Sequence, residues 1–163
     1  MTPLNANLNA VMSHLMPHLV FVFGTLKEGF PNFDANQGAR VPGEFVTVQR
    51  FPLHLVGERC SPWLINSPGQ GQQVAGQLFQ VDPAALEQMD KLERINEPDG
   101  YRRLPIEVAP RGASPASRLE AFAYLKEPAQ FSLTNARHGP LAEYTLEHAA
   151  LYRSRAPTPG TPS

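Results

Sequence analysis

Short apolar runs alternate with turn-forming residues along the whole chain. His18 to Phe23 reads His-Leu-Val-Phe-Val-Phe and stops at Gly24, the pattern of a buried strand. Gly24 to Gly43, with its glycines, prolines and asparagines, predicts a long loop, and loops of this length are usually functional or mobile. Glu44 to Phe51 predicts a strand that Pro52 breaks and Leu53 to Val56 resumes. Pro62 to Ile65 predicts another short strand, and Ser67 to Gly71 a turn. In Gln73 to Val81, Val74, Gly76 and Leu78 share one side of a strand and Ala75, Gln77 and Phe79 the other. Gly76 there marks a bulge or the close approach of another backbone.

Asp82-Pro83 opens a helix, since Asp is a favourable N-cap and Pro suits the first helical position. This helix is expected to run to about Ile95. Asn96 to Gly100 then turn the chain. Tyr101 to Ala109 predicts an edge or bulged strand because Pro105 interrupts it. Arg118 to Leu125 alternates cleanly and predicts a strand, and a last helix is expected from about Leu141 to Tyr152. Residues 1–17 read as an N-terminal extension, 18–154 as a single domain and 155–163 as a low-complexity tail with nothing to bury. The order of strands, helix, strands, helix predicts an α+β fold whose mostly antiparallel or mixed sheet can close into a barrel.

Composition narrows the function. A chain of 163 residues fits one domain and can support a core without metals or disulfides. Hydrophobic residues at 42% and charged residues at 18% exclude a wholly disordered chain. The net charge of −1 leaves no basic excess for a phosphate backbone, so no nucleic-acid partner is expected. A single cysteine, Cys60, excludes an internal disulfide framework. No Lys or Arg precedes Lys27, as the start of a secretory signal would require, and no apolar run is long enough to span a bilayer. A cytoplasmic protein with no membrane partner is expected, and the lack of a heptad pattern makes it a monomer.

Glu93 stands out by its helical phase. With Leu86 at 0° and about 100° per residue, Met89 falls at about 300°, Leu92 at about 240° and Glu93 at about 340°. Glu87, Lys91 and Arg94 fall on the opposite side, at about 100°, 140° and 80°. Glu93 thus points toward the core or a cavity, and a desolvated carboxyl with a raised pKa is suited to proton transfer near neutral pH. A Glu at the helix edge, paired with Arg102 or Arg103, fits the same phase.

Gly24-Thr25-Leu26-Lys27-Glu28-Gly29 has phosphate-loop spacing but is followed by Phe30-Pro31, not Lys and a hydroxyl residue, so the ATP-binding phosphate-loop reading fails. A strand ending in Gly-Thr-Leu can instead turn backbone N–H groups into a pocket to hold a carboxylate or an oxyanion. His14 and His18 are spaced for a metal, but Pro17 lies between them and no HExxH pattern surrounds them, so no metal is expected. Cys60 lacks a recognisable nucleophile motif, and no GxSxG elbow is present. Trp63 reads as a packing aromatic and Arg103 as a structural ion-pair partner, while Tyr101 and Tyr124 either line a pocket or fill the barrel.

Val20 to Gly29 followed by Pro31-Asn32 resembles the opening of the gamma-glutamylcyclotransferase-like superfamily, whose hallmark is a strand ending in Tyr-Gly-Thr-Leu or Tyr-Gly-Ser-Leu. Phe51-Pro52-Leu53, Gly57-Glu58, Pro62-Trp63-Leu64, Pro68 to Gly71 and Val74 to Asp82 are similar to its gamma-glutamylamine cyclotransferase branch. Met89 to Glu93 with Tyr101-Arg102-Arg103 resembles the segment around the catalytic glutamate, and Ala121 to Tyr124 a later strand near the pocket.

The resemblance covers about residues 18–126. It implies a small mixed β-barrel with flanking helices and a cofactor-independent enzyme without water or metal in its reaction. The substrate's alpha-amine attacks its own gamma-carbonyl, releasing 5-oxoproline and a free amine. The resemblance implies Glu93 as acid/base, the Gly24, Thr25 and Leu26 backbone as binding loop, and Phe23, Tyr101 and Tyr124 as further substrate-binding positions. Phe23 departs from the family's usual Tyr and lacks its hydroxyl. A non-catalytic module binding a small acid or a protein, or a deprotecting enzyme of a biosynthetic pathway, is the alternative.

Overall fold

A computed structural model describes residues 18–153, so the expected N-terminal extension and tail lie outside the described residues. Eight strands follow in chain order among these residues: β1 His18–Val22, β2 Ala39–Thr47, β3 Leu53–Val56, β4 Ser61–Leu64, β5 Ala75–Val81, β6 Arg102–Pro110, β7 Leu119–Leu125 and β8 Ala136–His138. Helix α1 spans Pro83–Leu92 and the short α2 Leu146–Ala149. Strands β1-β5-β2-β6-β7 form a closed barrel, completed by parallel pairing of β1 with β7 at Val20 and Phe122. The remaining strands form a small sheet in the order β4-β3-β8. The fold is thus the expected α+β barrel with helices beside it.

Alternation along the strands sorts their side chains into two cores. Phe21 of β1 and Leu78 of β5 join Phe45, Val108 and Ala123, and also Leu53, Leu55 and Leu64 of the small sheet. Val20, Val22, Phe79 and Val81 turn the other way, onto Ala85, Leu86 and Met89 of α1. Gly76 takes the close approach expected of it, since a Cβ there would stand 2.5 Å from the Val22 carbonyl oxygen. Pro105 lies where β6 pairs with β7 but not with β2, whose ladder covers only Val108 to Pro110, so its missing N–H breaks no bond.

Three expected boundaries are corrected. The loop from Gly24 gives way to β2 at Ala39, not at Gly43, because Pro42-Gly43 is absorbed as a bulge where the β2–β5 register shifts between Val41 and Phe45. Helix α1 starts as expected, with Asp82 Oδ1 accepting the Ala85 N–H at 2.7 Å, but it stops at Leu92 and not at Ile95. Arg94 adopts a left-handed φ of 56°, and the Arg94 and Ile95 N–H groups return to Lys91 O at 3.1 Å and Asp90 O at 3.2 Å. This paired closure ends the helix and lets Ile95 pack beside α1 and not circle to its far side.

The expected helix over 141–152 shrinks to Leu146–Ala149. Leu141 N–H bonds Leu53 O and Ala142 O accepts the Ala75 N–H, each at 2.8 Å, and Tyr144 is fully buried. These tertiary bonds hold 141–144 along the core, out of helix. Among the described residues no helix is long and apolar enough to cross a membrane.

Candidate active site

A cavity of about 990 Å3 opens where the end of β1, the end of α1, and strands β4 and β7 converge. Phe23, Gly24, Thr25, Leu26, Glu93, Tyr101 and Tyr124 all line it. Residues far apart in sequence are thus brought together at one site.

The turn after β1 is held by its carbonyls. Gly24 O accepts the Lys27 N–H at 3.1 Å, Thr25 O the Asn32 N–H at 2.8 Å, and Leu26 O the Asn36 Nδ2 at 3.0 Å. The N–H groups of Gly24, Thr25 and Leu26 take no acceptor among the described residues. Three consecutive backbone donors are therefore available at the cavity, an arrangement suited to an anion. The Leu26 side chain is buried beneath α1 and anchors the turn. Lys27 points away from any phosphate role: it is buried, donates from Nζ to the Tyr144 carbonyl, and sits 4.3 Å from the Phe30 ring centre. Burial lowers its pKa, opposed by the charges of Glu143 and Glu44. Phe23 is buried and belongs to the larger core cluster while touching the cavity.

Gly24 is required by contact, not by φ. A Cβ there would stand 2.7 Å from Pro62 Cγ, and Pro62-Trp63 is the adjoining wall. Gly24→Ala is expected to push that wall outward, lowering kcat/KM for a processed substrate about tenfold or more with the fold retained. Steady-state kinetics with a thermal melt check this.

Glu93 is the C-cap of α1, half-buried at the cavity, with φ −85° and ψ −1°. Its carbonyl accepts the Tyr101 N–H at 3.0 Å, which ties the helix end to the start of β6. Burial first, and then the Glu93 charge, push the Tyr101 phenol well above its ordinary pKa. The Tyr124 phenol is raised by burial, then by Asp90, then by Glu93. Both phenols stay protonated as donors. Tyr101 OH donates to Pro62 O at 2.9 Å and Tyr124 OH to Asp90 Oδ1 at 2.7 Å. Asp90 Oδ2 in turn takes Arg103 Nη1 at 2.6 Å, so Arg103 has the ion-pair role expected of it. Arg102 Nη1 gathers the carbonyls of Ile95, Glu97, Gly100 and Tyr101 and braces the loop after α1.

Lys126, Asn32, Arg59 and Tyr152 line the cavity without having been singled out as site residues in the sequence. Lys126 is buried, donates to Asp99 O, and lies 4.3 Å from the Trp63 ring and 4.5 Å from the Tyr101 ring. It follows Tyr124 by two positions off a strand, so strand alternation would have placed both on one side. Trp63, expected as a packing aromatic, belongs to neither core cluster and instead stands half-buried on the cavity wall. Asn32 Nδ2 reaches Thr25 Oγ1 at 2.9 Å and Tyr152 OH at 3.2 Å, and Arg59 Nη2 reaches the same hydroxyl at 3.2 Å. No sequence signal pairs Arg59 or Asn32 with Tyr152.

Cys60 sits between the lining residues Arg59 and Ser61 without lining the cavity itself. His18 packs on Phe122, and His14, four positions before it, lies outside the described residues. Among the described residues no group of three metal-ligating side chains forms.

Gamma-glutamylaminecyclotransferase B of Danio rerio is 40% identical over 117 residues, spanning 66% of this chain and 59% of that protein. Gamma-glutamylaminecyclotransferase of Rattus norvegicus is 38% identical over 114 residues, spanning 64% and 75%. The chain thus spans about three-fifths to three-quarters of the length of these relatives. The crystal structure of an AIG2-like protein from Mus musculus superimposes with a TM-score of 0.73 at 29% identity, covering 88% of this chain and 99% of that one. The family described as "Gamma-glutamyl cyclotransferase, AIG2-like" matches residues 20–146. With this match across most of its length, the chain belongs to the gamma-glutamyl cyclotransferase, AIG2-like family.

Proposed function

We propose that this chain is a gamma-glutamyl cyclotransferase, converting a gamma-glutamylamine or related amide to 5-oxoproline and a free amine. The observation that carries the reading is the meeting of Glu93 with the available Gly24, Thr25 and Leu26 N–H groups in one cavity. The names of the relatives support it.

The substrate's alpha-ammonium gives a proton to the Glu93 carboxylate, and the freed amine attacks the gamma-carbonyl carbon. A carbon–nitrogen bond closes the five-membered ring, and the carbonyl oxygen becomes an oxyanion. The turn N–H groups hold that oxyanion or the substrate's carboxylate. Glu93 then passes its proton to the departing nitrogen and the original amide bond breaks; the ring nitrogen gives its surplus proton to the Glu93 carboxylate, from which the released amine takes it up as an ammonium. No water or redox partner enters this balance. Tyr101 and Tyr124, with their protons retained, shape the pocket that folds the glutamyl group back on itself. A monomer acting in the cytoplasm goes with this reading, as the near-neutral charge and the lack of a heptad pattern suggest.

The test is mass-spectrometric detection of 5-oxoproline from gamma-glutamyl-lysine, gamma-glutamyl-alanine, glutathione and simple gamma-glutamyl-alkylamines. Release from at least one is expected. No release from any of them, combined with thermal stabilisation by 5-oxoproline, would replace the enzyme with a small-acid binder.

A further inference from the structure

Arg59 lies in the turn between β3 and β4, half-buried on the cavity wall. Its Nε donates to Arg153 O at 3.0 Å and its Nη2 to Tyr152 OH at 3.2 Å, while the Arg153 N–H returns to Arg59 O at 2.9 Å. A guanidinium carries five N–H donors, so most of its capacity is left over. Two arginines line the cavity: Arg94 is paired with Asp99, whereas Arg59 has no carboxylate partner among the described residues. The neighbouring Glu58 is exposed at the rim and forms no ion pair with it. Arg59 is nonetheless close enough to the interior for its charge to offset that of Glu93 at the Tyr101 phenol.

A guanidinium without a carboxylate, partly desolvated and braced by Tyr152 and Arg153, is built to receive one in a forked pair of bonds. The turn N–H groups already serve the gamma-glutamyl part of the substrate. The cavity's about 990 Å3 leaves ample room beyond that small group for a leaving amine. Lys126 adds a second positive charge to the lining.

We infer that Arg59 recognises a carboxylate on the amine side of the substrate, so that the preferred leaving amine bears an acid and not a second ammonium. This rests on the cyclotransferase reading and deepens it.

Three amides of nearly equal size isolate the terminal charge: gamma-glutamyl-β-alanine, gamma-glutamyl-propylamine and gamma-glutamyl-ethylenediamine. The wild-type kcat/KM for 5-oxoproline release is expected to be about tenfold higher for the acid than for the propylamide, and lowest for the ammonium compound. Arg59→Met is expected to cut kcat/KM on the acid at least about tenfold more than on the propylamide, with Arg59→Lys recovering part of the difference. Equal losses on all three amides would put the guanidinium on the shared gamma-glutamyl part and overturn the inference, as would no loss. The wild-type ranking needs no variant, so a folding defect in Arg59→Met does not remove the test.

Calorimetric titration of the Glu93→Gln protein with the same acid and propylamide, with and without Arg59→Met, reads recognition without turnover. If the wild type turns over none of the three and none of the gamma-glutamyl substrates named above, the cyclotransferase reading fails. An Arg59-dependent preference for binding the acid would still support the inference, and equal binding or none would overturn it.

Discussion

Glu93→Gln is expected to lower kcat for 5-oxoproline release about 10²–10⁴-fold, with KM changed far less. Gln preserves the shape of the side chain but cannot take the proton of the alpha-ammonium. Without that step the attacking nitrogen has no lone pair, and the departing nitrogen receives no proton. The backbone bond from Tyr101 N–H to Glu93 O does not involve the side chain, so the helix end and the start of β6 should stay in place. A melting temperature close to wild type is therefore expected alongside the loss. Wild-type turnover by a folded Glu93→Gln protein would remove the glutamate from the mechanism and leave the turn N–H groups as the main contributors.

Gly100→Ala is expected to be among the most damaging substitutions in the chain. A Cβ at Gly100 would stand 1.7 Å from Arg94 O and 2.5 Å from Arg94 C, both backbone atoms of the residue that ends α1. No rotamer change relieves such a clash, so the loop from Arg94 to Gly100 has to open. That loop is braced on every side. Gly100 O accepts Arg102 Nη1 and Gln130 Nε2, Pro98 O accepts Gln130 Nε2, and Asp99 O accepts Lys126 Nζ. Opening it strains these bonds and moves Glu93 relative to Tyr101. A loss of about 2–4 kcal/mol of stability is expected from the combined overpacking and broken bonds, together with a fall in kcat. Urea unfolding checks the first and single-turnover kinetics the second. Gly112→Ala is the control: Gly112 has φ 84° but nothing within 4 Å of a Cβ, so only the conformational penalty of about 1 kcal/mol applies and activity should be kept. Equal effects of the two substitutions would mean that the close contact at Arg94 carries no energetic weight.

The two predictions show how differently parts of the site could be read in advance. Glu93 was legible because helical phase is a local property, and it survived an error in the boundary. The helix ends at Leu92, yet Glu93 as the C-cap still holds helical φ and ψ, so its direction is nearly that of a helix three residues longer. The turn over 24–26 was legible because an apolar run stopped by Gly-Thr-Leu ends a strand wherever it lies. Lys126 was within reach of the same reasoning, through its spacing from Tyr124. The bracing of the loop after α1 was not, since it depends on the side chains of Arg102, Lys126 and Gln130 meeting carbonyls across the chain.

Short-range physics decides the strand alternation, the Asp82 N-cap, the close approach at Gly76 and the facing of Glu93, and all four are readable along the chain. These follow from backbone geometry over a few residues, and no distant partner changes their sign. Tertiary structure alone decided the rest. Leu53 and Ala75 take up the backbone of 141–142 and turn an expected helix into an extended strap along the core. Tyr152 reaches Asn32 and Arg59 across 120 and 93 positions. Such contacts exist only once the barrel has closed, because the free energy that holds them comes from packing between elements and not from the propensity of any segment.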